Sequence, residues 1–263
     1  MTQKISVSNL RKAHTLQYIF RFFREKIFPL EFPIFVAAMG KNKLRKFAEM
    51  KSMKNVFEPT LQADPTDFEL KGKWRESFFG NNNPIVLELG CGKGEYTVGL
   101  AKHYPNRNYI GIDIKGARMF VGAKEALDAG MDNVAFLRTK IDFLEDYFAK
   151  DEIDEIWLTF SDPQPVKPRK RLTSEQFVKR YKNVLKPGGL IHLKTDSDVL
   201  FESTEEQIKE HGYKAKELTW DLYHSLPDDL DPVIRDILHI KTHYEQLFTA
   251  KGSVIKYCCF TVH

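Results

Sequence analysis

Cysteine is scarce in this chain. Cys91, Cys258 and Cys259 are the only three, and none forms a C-x-x-C pair. That excludes a disulfide framework and a thiolate zinc site, and it suits a reducing, cytoplasmic setting. The eight histidines show no metal-ligand spacing, so no metal is expected. No apolar run approaches the length that crosses a bilayer, and no stable membrane association is expected. No internal repeat is visible either.

Acidic residues are rare at one end only. From Met1 to Lys54 there are twelve Lys or Arg against three Glu, a charge of +9; the whole chain carries +4, which leaves −5 for the rest. A mildly acidic domain with a basic leader points to a polyanionic or membrane partner for the leader. Within it, Tyr18, Phe20, Phe22, Phe23, Phe28, Phe32 and Phe35 interleave with Arg21, Arg24 and Lys26. A transit peptide, an interfacial helix and an upstream-start artefact all fit this text. Met39-Gly-Lys41-Asn-Lys43-Leu-Arg45-Lys46 reads like a fresh start. The expected division is therefore a doubtful leader over 1–38, a basic arm over 39–83, partly helical or disordered, and a catalytic domain over 84–263.

After Pro84 the pattern becomes regular. Ile85 to Leu89, Asn108 to Asp113, Val134 to Arg138, Ile153 to Thr159 and Leu190 to Lys194 are short apolar runs, separated mostly by helix-length segments such as Gly116 to Ala129 and Ser174 to Leu185. This spacing predicts an α/β fold with a mostly parallel sheet and ligands at the strand C-termini. Tyr213 to Trp220 and Val254 to Val262 read as two late strands around an insertion with a helical Ile234 to Leu238, which predicts an antiparallel C-terminal edge.

The richest segment is Val86-Leu-Glu88-Leu-Gly90-Cys-Gly92-Lys-Gly94, followed by Tyr109-Ile-Gly-Ile-Asp113. It reads as strand, glycine turn, helix and a second strand ending in a carboxylate. The glycines run G-x-G-x-G and not G-x-G-x-x-G, and Glu88 would repel a pyrophosphate while accepting hydrogen bonds from a cationic ligand. S-adenosyl-L-methionine is such a ligand, with ribose hydroxyls that Asp113 could chelate. A ligand-free turn and a dinucleotide site are the alternatives. Cys91 sits where a small residue is needed more than a thiol.

A second constellation follows the fourth run: Phe160-Ser-Asp162-Pro163-Gln164-Pro165-Val-Lys167-Pro-Arg169-Lys170-Arg171. Stiff prolines hold a carboxylate beside the crevice and four cations suit phosphate; a basic loop that is merely solvated is the plain alternative.

With Lys194-Thr195-Asp196 and Thr242-His-Tyr244-Glu245 added, the chain from Met39 to His263 resembles the bacterial tRNA guanine-N7 methyltransferases that modify a variable-loop guanosine. The resemblance implies a class I, Rossmann-like methyltransferase fold, S-adenosyl-L-methionine as cofactor, tRNA as partner, and a monomer or homodimer. It assigns Glu88, Gly90, Gly92, Asp113, Lys140 and Asp162 to the cofactor, with Asp162 also catalytic, and Lys167, Lys170, Asp196, Thr242, Tyr244 and Glu245 to the substrate. Three departures stand out. Ser161 and Gln164 replace a Pro and a Trp of the family loop, and the basic stretch is two residues shorter, which together leave substrate contact open between Lys167 and Lys170. Where the family has an acidic residue after the third strand this chain has Lys140, with Asp142 two residues on as a possible substitute. By spacing alone, Thr242 and Glu245 equally fit an N-cap and a helix-surface residue. The rival readings are a methyltransferase acting on another base or amino group, an inactive RNA-binding paralogue, and a dinucleotide oxidoreductase.

Overall fold

The computed structural model describes residues 42–59, 68–226 and 232–263; the leader over 1–38 and the start at Met39 lie outside the described residues. The chain divides into two units, Met1–Ala48 and Glu49–His263. The second unit holds the sheet and the residues around it.

Its strands are Val56–Phe57 (β1), Ile85–Leu89 (β2), Asn108–Asp113 (β3), Val134–Arg138 (β4), Ile153–Thr159 (β5), Leu185–Thr195 (β6), Lys214–Thr219 (β7) and Lys256–Thr261 (β8). They form one sheet in the order β1-β4-β3-β2-β5-β6-β8-β7. The pairs from β1 to β6 are parallel, whereas β8 runs antiparallel to both β6 and β7. The expected antiparallel edge is present, with the last strand inserted between its two partners. Strand order reverses between β2 and β5, and the crevice at that switch point is where such sheets take ligands.

The apolar runs become strands because both faces of the sheet are covered. All five residues of β2 are buried. Ile85, Leu87 and Leu89 point to a core with Phe177, Val178, Tyr181, Leu200 and Phe201, while Val86 points to a core with Tyr96, Leu100, Met119 and Ala123. The helices Glu95–His103 (α1) and Gly116–Asp128 (α2) thus cover one face. Leu144–Tyr147 (α3), Glu175–Val184 (α4) and Asp198–Glu210 (α5) cover the other. Leu222–Ser225 (α6), Pro232–Leu238 (α7) and His243–Thr249 (α8) fill the insertion before β8.

The described residues of 49–83, read from sequence as part of an arm, pack within the same unit as the domain. β1 pairs with β4 at the sheet edge. Trp74 is fully buried, its Nε1–H donates to the Tyr147 carbonyl at 3.0 Å, and its ring stacks on Phe148 at 5.7 Å. The Glu152 carboxylate accepts the backbone N–H groups of Gly72, Trp74 and Ala149, tying this segment to the loop before β5.

Candidate active site

The glycine turn after β2 is fastened to β3, since the Gly90 and Cys91 N–H groups both donate to the Ile112 carbonyl, at 2.8 and 3.0 Å. Gly90 has φ +80° and nothing lies within 4 Å of where its Cβ would stand, so the turn leaves open space. Gly94 has the opposite problem: a Cβ there would meet the Phe136 ring at 2.6 Å. One glycine keeps the crevice clear and the other lets the turn close onto β4.

Asp113, at the tip of β3, accepts the Gly92 N–H on Oδ2 at 2.9 Å and the Lys115 N–H on Oδ1 at 2.8 Å. Each oxygen keeps a free lone pair. Asp113 and Gly90 open onto a cavity of about 430 Å³, large enough for a nucleoside-sized ligand. Its walls are Ile114 on one side and Thr139, Lys140, Ile141 and Asp142 on the other; Gln164, Lys167 and Lys170 close it from the proline-rich loop. The structure therefore gathers Gly90, Asp113, Lys140, Lys167 and Lys170, five of the residues singled out from sequence, around one space. Asp142 is there too, 3.8 Å from the Lys170 ammonium. Thr139 was not legible: its Oγ1 is buried with no hydrogen-bond partner in the cavity wall, an orphan that a polar ligand edge would satisfy.

Glu88 lies beneath the turn and is 3 % exposed. Its Oε2 accepts the Thr97 N–H at 2.8 Å and the Thr97 hydroxyl at 2.5 Å, and its Oε1 accepts the Thr159 hydroxyl at 2.5 Å. Burial pushes its pKa up to about 7 against these donors. One carboxylate thus joins the ends of β2 and β5 to the first turn of α1. Cys91 is buried, and burial drives its thiol well above the ordinary range, which disfavours the nucleophilic thiolate.

The loop after β5 is held by one bond to β6 and by two of its own side chains. Phe160 (φ 49°) donates its N–H to the Lys194 carbonyl at 2.9 Å, and Gln164 (φ 46°) donates its N–H to Asp162 Oδ1 at 3.0 Å. Arg171 is 8 % exposed and its Nε–H donates to the Pro163 carbonyl at 3.0 Å. It staples the loop, whereas Lys167, Arg169 and Lys170 are exposed. Because β5 and β6 are parallel neighbours, Asp162 and Asp196 emerge at the same edge of the sheet. Asp196 is half-buried, which raises its carboxyl above the usual range; its carbonyl accepts the Lys256 ammonium at 3.0 Å.

The Thr-x-aromatic-Glu segment splits in two directions. Thr242 caps α8 by accepting the Glu245 N–H at 3.2 Å. Glu245 is fully buried and not on the helix surface. Its Oε2 accepts the Lys194 ammonium at 3.0 Å, and its Oε1 accepts the Tyr223 hydroxyl. Lys194, also fully buried, completes its shell by donating to the Leu238 and Ile240 carbonyls at 2.7 and 3.1 Å; burial lowers its pKa to about 8 despite the Glu245 charge. His243 and Tyr244 face outward. Among the described residues no His, Cys, Asp and Glu cluster could hold a metal ion, and no helix is long and apolar enough to cross a membrane.

Residues 82–258 match the pattern of the family described as "Putative methyltransferase". A tRNA (guanine-N(7)-)-methyltransferase of Bacteroides thetaiotaomicron is 55% identical over 223 residues, covering 84% of this chain and 86% of that protein. Its counterpart in Porphyromonas gingivalis is 50% identical over 214 residues, 80% of this chain and 86% of that one. Among solved structures, the 16S rRNA methyltransferase KamB matches with a TM-score of 0.54 at 16% identity, covering 71% of this chain and 91% of its own. An antibiotic-related methyltransferase matches at 0.52 and 16%, over 70% and 89%. These two share the fold, a class I methyltransferase sheet. With a match across most of the domain and relatives at half identity along most of their length, the chain belongs to the tRNA (guanine-N(7)-)-methyltransferase family.

Proposed function

We propose that this protein transfers the methyl group of S-adenosyl-L-methionine to N7 of a guanosine in the variable loop of tRNA. The observation that carries this reading is the cavity bounded by Asp113 on one wall and by the Asp162 loop with its lysines on the other. Donor and polyanion recognition then meet at one edge of the sheet. The residues present fit the donor: Asp113 has lone pairs free for two ribose hydroxyls, Ile114 offers an apolar wall, and the orphaned Thr139 hydroxyl awaits a polar ring edge. Glu88, sealed beneath the glycine turn, ties that turn to α1 and β5 through Thr97 and Thr159 and so fixes the floor of the crevice.

The bound donor supplies a methyl on a sulfonium that departs as a neutral thioether. Guanine N7 carries an in-plane lone pair, so no proton has to be removed before attack. The chain's task is then alignment and electrostatics, and no dedicated general base is required. Asp162 and Asp196 are assigned to accept hydrogen bonds from the guanine N1–H and amino group, which orients N7 and favours the cationic product. Lys167, Arg169 and Lys170 serve tRNA phosphates, and both lysines line the donor cavity as well.

The test is incubation with S-adenosyl-L-methionine and unmodified tRNA, followed by digestion and nucleoside mass spectrometry. 7-Methylguanosine from a variable-loop position is the expected product. Another methylated base would overturn the substrate assignment, and no methylation despite measured donor and tRNA binding would leave an inactive RNA-binding paralogue.

A further inference from the structure

A row of rings leads away from the reacting edge. Phe160, the residue that enters the Asp162 loop, contacts Phe248 of α8 at 6.3 Å; Phe248 stacks on Tyr244 at 6.3 Å and 22°. The Arg118 guanidinium, from the first turn of α2, lies 5.6 Å from the centre of the Tyr244 ring. Tyr244 is 38 % exposed, Arg118 is exposed, and Arg118 makes no ion pair among the described residues. Three elements from different parts of the chain thus converge on one aromatic surface, open to solvent at its outer end and topped by a cation.

We infer that Tyr244, Phe248 and Arg118 form a stacking site for an unstacked RNA base, that of the nucleotide next to the methylated guanosine. This rests on the tRNA methyltransferase reading above. Single-stranded and loop nucleotides are recognised by stacking on aromatic rings and on guanidinium planes, and a base costs little to present once its neighbour has been drawn out. The position decides which base. Tyr244 stands two ring contacts out from Phe160, whereas the target guanine must lie against the Asp162 and Asp196 edge. The adjoining nucleotide is the one within reach. Charge favours the same occupant: an arginine held over a ring without a carboxylate partner can move to the base plane or to the phosphate of that nucleotide. A protein side chain would satisfy the rings but would leave the cation unmatched.

The experiment uses tRNA carrying 2-aminopurine on one side or the other of the variable-loop guanosine, read by fluorescence as the full-length protein is added. On one of the two sides the wild-type protein should quench the probe. Tyr244→Phe should preserve the quenching, since stacking needs the ring and not the hydroxyl. Tyr244→Ala should abolish it and raise the KM for tRNA about tenfold, with the KM for the donor unchanged. Arg118→Ala should weaken tRNA binding and lower its salt slope by about one phosphate contact. Leu247→Ala, exposed on the same helix but outside the row, is the control and should leave the quenching intact. Quenching on neither side, or quenching that survives Tyr244→Ala, overturns the inference. If the quenching pattern appears but no 7-methylguanosine forms, the stacking site stands and the proposed reaction falls.

Discussion

At the scale of single residues, two carboxylates show how burial sets chemistry. Glu88 has its pKa raised to about 7 from an ordinary 4.5. The folded state therefore holds this proton more tightly than the unfolded chain does. Its contribution to stability is full below about pH 4.5 and declines by about 3 kcal/mol as the pH rises to 7, then stays level. Glu88→Gln should erase this slope, because an amide can still accept from Thr97 and donate to the Thr159 hydroxyl without carrying a charge. Urea denaturation of both proteins between pH 5 and 8 checks it, and parallel pH profiles would refute it. In the proposed substrate site, Asp196 is the counterpart of Glu88. Half-buried at the strand end, it is poorly solvated, and a hydrogen bond from guanine to such an anion is worth more than one in water. Asp196→Asn should lower kcat/KM for tRNA by about 10- to 100-fold while leaving the donor Kd in place. In the wild type the same parameter should fall at acid pH as Asp196 protonates, above the usual range for an aspartate; unchanged turnover in the variant would remove Asp196 from the site.

At the scale of elements, the buried Lys194–Glu245 pair joins α8 and the end of α7 to β6, the strand that delivers Asp196. The two partners are not equivalent. Lys194→Met takes the ammonium away from Glu245 Oε2 and from the Leu238 and Ile240 carbonyls and leaves a buried carboxylate charge with only the Tyr223 hydroxyl to face it, so a loss of about 3–5 kcal/mol is expected. Glu245→Gln keeps an oxygen for the ammonium and an amide that can donate to the Tyr223 oxygen, and should cost about 1–2 kcal/mol. Equal losses for the two variants in chemical denaturation would contradict this asymmetry. The same region marks where sequence reading stops. Strands β2 to β5 were legible at both ends, since strands buried on both faces read as unbroken apolar runs. Gly90, Asp113, Lys167 and Lys170, which line the cavity, were legible because strand tips and the loops after them are where ligands sit, and Lys140 was found through the family resemblance alone. Nothing in Thr242-His-Tyr-Glu245 says that the glutamate turns toward a lysine 51 residues earlier. Helical spacing fixes which residues share a face, and the neighbour that face meets is a tertiary fact. β1 was missed for a different reason: two residues carry no alternation. Trp74 was hidden by the polar text around it, although its cluster with Phe78 and Phe79 is an aromatic density that a solvated arm has no use for.

At the scale of the whole molecule, charge is divided along the chain and not balanced within it. With +9 on the first 54 residues and −5 on the rest, the domain alone would repel a tRNA at long range, and attraction has to come from the basic text and the few loop cations. Counterion release turns this into a measurable slope: for each phosphate the protein ceases to neutralise, the salt dependence of log K falls by about one. Replacing Lys41, Lys43, Arg45 and Lys46 together by Gln removes four charges from a segment that precedes the sheet and shares none of the residues lining the cavity beside Asp113. Affinity for tRNA should fall most at low salt, the slope of log K against log salt should become shallower, and the affinity for S-adenosyl-L-methionine should not move. Titrations of wild type and variant over a salt series decide the matter. Identical slopes would mean that the basic segment does not touch the nucleic acid, and that Lys167, Arg169 and Lys170 carry its phosphates unaided.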